Sequence, residues 1–198
     1  MRVNSLEGVP LAMIDVIIVG GGPAGLSAAL VLARACRSVV VIDSGHPRNA
    51  AARRMHGYLS RDGVNPRRLL QLGRDQLEPY GIKIIEGEVA EARRLKTGFS
   101  IRTAAGLRLQ SGKLLLCTGV RDQLPRLEGL HEFYGRSVHH CPYCDGWEWR
   151  GRRLVAYGEG KAGVGLALLL RGWSDTVTVV TDGQRPPTTA QAARLREH

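Results

Sequence analysis

Residues 14–25 read Ile14-Asp15-Val16-Ile17-Ile18-Val19-Gly20-Gly21-Gly22-Pro23-Ala24-Gly25, a β-branched run that breaks into glycines. The run predicts a buried strand, and the alanine- and leucine-rich residues 26–35 predict the helix after it. Residues 39–42 give a second buried strand ending at Asp43, eighteen residues beyond Gly25, which fits a βαβ unit with its acidic residue in place. In such a unit Gly20 makes the tight turn, Gly22 lets the backbone approach a pyrophosphate, and Gly25 lets helix and strand pack closely. Pro23 and Ala24 open the helix, whose first N–H groups hold phosphates, and Asp43 accepts hydrogen bonds from ribose hydroxyls.

A second stretch repeats the first. A shift of 138 residues maps Gly20, Gly22 and Gly25 onto Gly158, Gly160 and Gly163, and the strand at 39–42 onto 177–180. One shift aligning turn, helix and strand argues for two homologous nucleotide-binding units rather than two chance motifs. The acid does not repeat: Thr181 stands in the place of Asp43, with Asp182 next to it.

Between the two units lies Cys141-Pro142-Tyr143-Cys144-Asp145-Gly146. Two cysteines at this spacing can close a short disulfide, and neighbouring groups that favour the thiolate let it attack another disulfide or a flavin. Zinc is the rival reading, with His139, His140, Cys141 and Cys144 as nominal ligands. Four ligands within six residues strain a tetrahedral site and the usual second knuckle is missing, so no metal is expected. The other two cysteines, Cys36 in the first helix and Cys117 at a strand end, read as small buried hydrophobes.

The rest of the chain reads more plainly. Residues 44–63 are a long polar loop rich in Gly, Pro and Arg, residues 66–80 a helix, and residues 113–117 a buried strand ending in Thr118-Gly119. Residues 82–85, 88–92, 99–103 and 107–109 are short strands, read as one small antiparallel layer. The net charge is +10, from 28 Lys and Arg against 18 Asp and Glu, but the basic residues are scattered in pairs and make no nucleic-acid footprint. No apolar run reaches the ~18 to 20 residues needed to cross a bilayer. Residues 1–12 carry no export pattern and read as a disordered leader, so the expected address is cytoplasmic.

Taken in order, these motifs resemble those of the pyridine-nucleotide disulfide oxidoreductases, most closely the low-molecular-weight thioredoxin reductase family and its relatives that act on small dithiols. The resemblance covers nearly all of residues 13–198. It implies an FAD site at Gly20–Gly25 with Asp43, completed by Thr118 and Gly119, with Asn49 near the flavin and Val89 near the adenine. It implies a nicotinamide-nucleotide turn at Gly158, Gly160 and Gly163, for NADPH or NADH. A carboxylate beside Thr181, where the family usually carries basic residues, speaks against a 2′-phosphate. Cys144 is then the thiol nearest the flavin, Cys141 the one that attacks an outside disulfide, and Asp145 the acid or base.

The expected fold is α/β, with two Rossmann-like FAD- and NAD(P)-binding units, both incomplete, and the small antiparallel β layer. Residues 13–119 form the first unit, and residues 120–198 the second, carrying the cysteine pair. The expected activity is an FAD-dependent disulfide oxidoreductase with a thioredoxin-like protein or a small-molecule disulfide or dithiol as partner, and a homodimer is compatible with it. The alternatives are a dithiol oxidase that passes electrons to oxygen, and an inactive, truncated nucleotide-binding remnant.

Overall fold

The computed structural model describes residues 13–183 and 185–197; the expected leader at 1–12 lies outside them. The chain divides into two compact units. One runs up to Arg54 and resumes over Val64–Glu128; the other joins Met55–Gly63 to the chain from Gly129 onward.

The first unit is built on a six-stranded sheet of order β3-β2-β1-β6-β5-β4. Its elements are β1 (Ile14–Val19), α1 (Pro23–Arg34), β2 (Val39–Asp43), α2 (Pro66–Asp75), β3 (Lys83–Glu86), β4 (Val89–Arg94), β5 (Phe99–Thr103) and β6 (Arg108–Leu116). Strands β3, β2, β1 and the second half of β6 run parallel, with Ile17 opposite Val40 on one side and Leu114 on the other. Alternation along β1 and β2 then sorts the side chains by face. Val16, Ile18, Val39 and Val41 pack under α1 with Leu26, Ala29 and Leu77, while Ile17 and Ile42 point the other way and meet Ile101 of β5.

Three expectations about strands and helix bounds need correction. Residues 82–85 do not belong to the antiparallel layer: β3 pairs parallel with β2 at the opposite edge of the sheet, because a helical crossover through α2 precedes it. The strands expected at 107–109 and 113–117 are one element, β6, which begins antiparallel to β5 and continues parallel to β1, so the small layer is an extension of the main sheet. The helix expected over 66–80 stops at Asp75 and gives way to a single 3-10 turn at Glu78–Tyr80, where Pro79 has no N–H to continue the ladder.

Capping explains the helix ends. The Asn65 side chain accepts the N–H groups of Arg67 and Arg68 at the start of α2, with Pro66 in the first position. Cys36 is not the buried residue of α1 that its position suggested: it is exposed and left-handed (φ 55°) just past the helix. The Arg37 N–H returns to the Leu32 carbonyl there, the pattern that closes many helices. Asp15, the one polar residue of β1, is tied to the start of β2. Its carboxylate accepts the Ser38 N–H at 2.8 Å and the Ser38 hydroxyl at 3.0 Å, which lowers its pKa.

The second unit contains α3 (Leu130–Phe133), α4 (Pro142–Asp145), a 3-10 turn at Gly146–Trp149, β7 (Leu154–Tyr157), α5 (Gly160–Leu170), β8 (Val177–Val180) and α6 (Thr189–Glu197). Strands β7 and β8 form a parallel pair under α5, with Ala156, Val164 and Ala167 buried between. The 138-residue shift carries β2 onto β8 residue for residue over 39–42. Among the described residues, no helix is long and apolar enough to cross a membrane.

A shared core makes the antiparallel arm part of the same cooperative structure. Ile101→Ala should cost about 2–5 kcal/mol and lower hydrogen-exchange protection in β1 and β2 along with β5; loss confined to β4 and β5 would show the arm to be independent.

Candidate functional site: two glycine turns and a cysteine pair

At the first turn, a Cβ on Gly25 would stand 1.9 Å from the Gly20 carbonyl oxygen, and one on Gly20 (φ 106°) would stand 2.2 Å from the Cys117 oxygen. Both glycines are required by close approach of backbone to backbone. The Gly20 N–H donates to the Ile42 oxygen at 2.8 Å, which fixes the turn over the ends of β1 and β2. Gly22 is different: nothing lies within 4 Å of where its Cβ would be. No side chain caps α1 and no acid sits in its first turn, so the positive end of the helix, from Pro23 and Ala24 on, is open to an anionic group.

Several predicted residues converge on this turn at the C-terminal ends of the parallel strands, where α/β sheets bind their ligands. Asp43 closes β2, and a Cβ on Gly21 would be 2.8 Å from the Asp43 side chain. Thr118 and Gly119 (φ 63°) follow Cys117, whose N–H donates to the Val19 oxygen at 2.7 Å. Cys117 is half-buried against the core rather than fully enclosed, and that burial raises its thiol pKa. Asn49 lies in the turn after β2. The adjacent Arg48 grips both oxygens of Asp122 at 2.9 and 2.7 Å, so the Asn49 loop and the segment after Gly119 are held together. Val89 sits elsewhere, at the start of β4, packed on the Ile17–Ile42–Ile101 face. The Gly87 N–H to the Asp43 carbonyl brings the chain to that place from beside the turn.

Two partners were not foreseen. Arg74 of α2 donates to Asp43 Oδ2 at 2.9 Å, so the carboxylate expected to serve a ribose already holds a guanidinium. Arg48 and Asp122 lie 74 positions apart, beyond the reach of any local pattern.

The second turn repeats the first closely and then departs from it. The Gly158 N–H donates to the Val180 oxygen at 3.0 Å, and a Cβ on Gly163 would meet the Gly158 oxygen at 2.1 Å. These are the Gly20–Ile42 and Gly25–Gly20 relations shifted by 138. Gly160, however, is left-handed (φ 47°), and its N–H is taken by the Arg185 carbonyl at 2.9 Å. Asp182 (φ 52°) accepts the Tyr157 hydroxyl at 3.4 Å. Burial, and then the neighbouring Asp182, raise the Tyr157 pKa.

In the same unit as the second turn, α4 is a single helical turn with Cys141 at its N-cap and Cys144 and Asp145 inside it. The Cys144 N–H donates to the Cys141 carbonyl at 3.2 Å, and all four cysteines of the chain are present as thiols. A Cβ on Gly146 would come within 2.9 Å of the Trp173 ring, which also meets Tyr143 edge-on at 5.4 Å between centroids. Trp173 is thus the unforeseen support of the cysteine turn. His139 Nδ1 is 3.3 Å from Asp145 Oδ1, and Tyr134 bonds His140 Nδ1 at 2.7 Å. The two histidines turn to different partners, and among the described residues no three His, Cys, Asp or Glu gather as metal ligands do. His56, in the Met55–Gly63 segment, lies 3.5 Å from Asp62 and 3.6 Å from Glu148 of the 3-10 turn after α4.

The chain thus holds two dinucleotide-type turns and, in the same unit as the second, a cysteine pair on one helical turn. The sequence profile of the pyridine nucleotide-disulphide oxidoreductases matches residues 14–197, and the chain belongs to that family. Members of the thioredoxin reductase type in this family use FAD and a nicotinamide nucleotide. The chain is 39% identical over 161 residues to a thioredoxin reductase of Claviceps purpurea, covering 79% of this chain and 50% of that protein. It is 35% identical over 194 residues to one of Aspergillus oryzae, covering 93% and 60%. Among solved structures it matches HlmI with a TM-score of 0.88 at 42% identity, over 93% of this chain and 59% of that one. It also matches a putative thioredoxin reductase of Bacillus anthracis with a TM-score of 0.89 at 30% identity, over 93% and 62%. The chain therefore spans about half to three fifths of the length of these relatives.

Close approach at one glycine and open space at another predict opposite outcomes. Gly25→Ala should destabilise the first unit by about 3 kcal/mol or more, whereas Gly22→Ala should stay within about 1 kcal/mol, both read from thermal melts of the purified protein.

Proposed function

We propose that this chain carries the flavin and dithiol machinery of a thioredoxin reductase-like disulfide oxidoreductase. One observation carries the reading: the Cys141/Cys144 pair, with Asp145 on the same helical turn, belongs to the unit that repeats the dinucleotide turn of the other unit. The open end of α1 suits a pyrophosphate, held by the backbone at Gly20, Gly22, Pro23, Ala24 and Gly25. Asp43, held in place by Arg74 at 2.9 Å, takes the ribose, with Asn49, Thr118 and Gly119 near the flavin and Val89 near the adenine. Gly158, Gly160 and Gly163 take the nicotinamide nucleotide.

FAD, when bound here, would supply the two-electron chemistry that links a nicotinamide nucleotide to the Cys141–Cys144 disulfide, whose S–S bond opens to two thiolates on reduction. Cys144 is the sulfur on the flavin side and Cys141 the one that attacks the outside disulfide. Asp145 takes a proton from the attacking thiol and returns one to the leaving thiolate. The partner is a thioredoxin-like protein, in keeping with the names of the relatives, or a small disulfide.

A second reading, dithiol oxidation with oxygen as acceptor, is favoured by the second turn. Its Gly160 N–H is already bonded to Arg185, and the acid beside it is Asp182 rather than a base. Within the nicotinamide-dependent reading, that carboxylate disfavours a 2′-phosphate and suits a free ribose hydroxyl, which points to NADH.

Stopped-flow flavin reduction separates the readings. Cys141→Ser should abolish turnover of an outside disulfide while leaving flavin reduction by the nicotinamide cofactor intact; unchanged turnover removes Cys141 from the chemistry. NADH should reduce the flavin faster than NADPH, and Asp182→Arg should raise the NADPH rate about tenfold or more. Reduction by dithiols alone, with neither nucleotide active, selects the oxidase.

A further inference from the structure

His139 sits beside the cysteine turn with more partners than one protonation state can serve. Its Nδ1 is 3.3 Å from Asp145 Oδ1, an ion-pair distance. Its Nε2 is 2.9 Å from the Arg136 carbonyl oxygen and 3.1 Å from the Trp149 indole nitrogen. A carbonyl only accepts and an indole N–H only donates. Nε2 therefore satisfies Arg136 when it carries a proton and Trp149 when it does not, and no single state serves both. Asp145 settles the other nitrogen, because a carboxylate facing Nδ1 calls for a proton there. Two ring states remain: an imidazolium bonded to Asp145 and Arg136, and a neutral Nδ1–H ring bonded to Asp145 and Trp149.

We propose that His139 is the positioning residue for Asp145 and the switch that sets how strongly that carboxylate holds a proton. This rests on the function proposed for the cysteine pair. Imidazole is the side chain that changes charge between about pH 5 and 8, the range in which thiols and carboxylates differ most in protonation. The imidazolium makes Asp145 a better proton donor to a leaving thiolate; the neutral ring makes it a better acceptor from an attacking thiol.

The exchange it serves is balanced as follows. As the Cys141 thiol attacks an outside disulfide RSSR′ it gives its proton to Asp145, the S–S bond breaks, and R′S⁻ leaves with that proton. Cys144 then gives its thiol proton to Asp145 as it attacks the Cys141 sulfur of the mixed disulfide, and RS⁻ leaves with that proton. The cysteine pair is oxidised by two electrons, and RSSR′ is reduced to RSH and R′SH.

Among the described residues, three groups meet the ring. Asp145 comes from α4, Trp149 from the 3-10 turn after it, and Arg136 presents its carbonyl. His140 turns to Tyr134, and Glu148 lies beside His56. Both His139 and Asp145 are largely shielded, at 18% and 26% side-chain exposure. An ion pair there is screened less than one in open water.

The test begins with the unmodified protein. The Trp149 indole N–H resonance, assigned by its loss in Trp149→Phe, should move between about pH 5 and 8 and stay still over that range in His139→Gln. Iodoacetamide alkylation of the reduced cysteines, which needs no cofactor, should show a step in its pH profile that His139→Gln lacks. With a model aromatic disulfide, His139→Gln should lose about tenfold in turnover, and the double variant with Asp145→Asn should be no slower than Asp145→Asn alone. A Trp149 resonance that ignores pH in the unmodified protein, or a His139→Gln variant with an unaltered alkylation profile, overturns the proposal. If nothing turns over the disulfide, the functional reading fails, while the resonance and alkylation data still decide whether His139 governs Asp145.

Discussion

A helix can lie against the end of a strand only as closely as their side chains allow, and at residue 25 this protein removes the side chain altogether. With the Gly20 oxygen 1.9 Å from where a Cβ would project, any other residue would push α1 off the sheet. The same contact recurs at Gly163 against Gly158. Everything near the turn is placed by that seat. It sets the angle at which the start of α1 faces outward, the reach from Gly21 to Asp43, and the junction between Gly20 and the chain leaving β6. The apolar faces of β1 and β2 supply the stability, since fully buried isoleucines and valines are worth roughly 1.5–3 kcal/mol each. The glycines decide where that stability is applied.

The two turns share this seat and differ in what lies above it. The first leaves its third glycine facing open space, with an acid held ready by Arg74 nearby. The second has a left-handed Gly160, the counterpart of Gly22, whose N–H is bound by its own chain, and an acid displaced by one residue onto the Tyr157 hydroxyl. The two turns thus agree where backbone packs on backbone and differ in the residues above that contact.

Much of this was legible from the residues alone, and the limits have physical causes. The βαβ unit and its repeat follow from local patterns: β-branched runs, glycine spacing and a single shift of register. The direction of β3 was not legible, because a short apolar strand looks the same whether it pairs parallel or antiparallel. Only the crossover through α2 decides it. The unity of β6 was hidden by Gly112 and polar Ser111 in its middle. Ser111 is in fact fully buried, its hydroxyl bonded to the Lys113 carbonyl. Arg74, Trp173 and the Arg48–Asp122 pair were invisible for another reason: each acts on a residue distant in sequence, and a charged or aromatic side chain gives no sign of which distant partner it will find. His139 and His140 illustrate the difficulty at short range. They are adjacent and chemically identical, yet one turns to Asp145 and the other to Tyr134.

The Met55–Gly63 segment has a consequence for anyone who would take the protein apart. It leaves one unit after Arg54, takes part in the other through contacts such as His56 with Glu148, and returns at Val64. The backbone therefore passes between the units three times, and no single scission yields two intact pieces. A fragment ending at Glu128 would carry away a stretch that belongs with its neighbour, and a fragment beginning at Gly129 would lack it. Dissection by expression of halves would misrepresent the second unit; only a reconnected chain, with 55–63 grafted back, would present it whole.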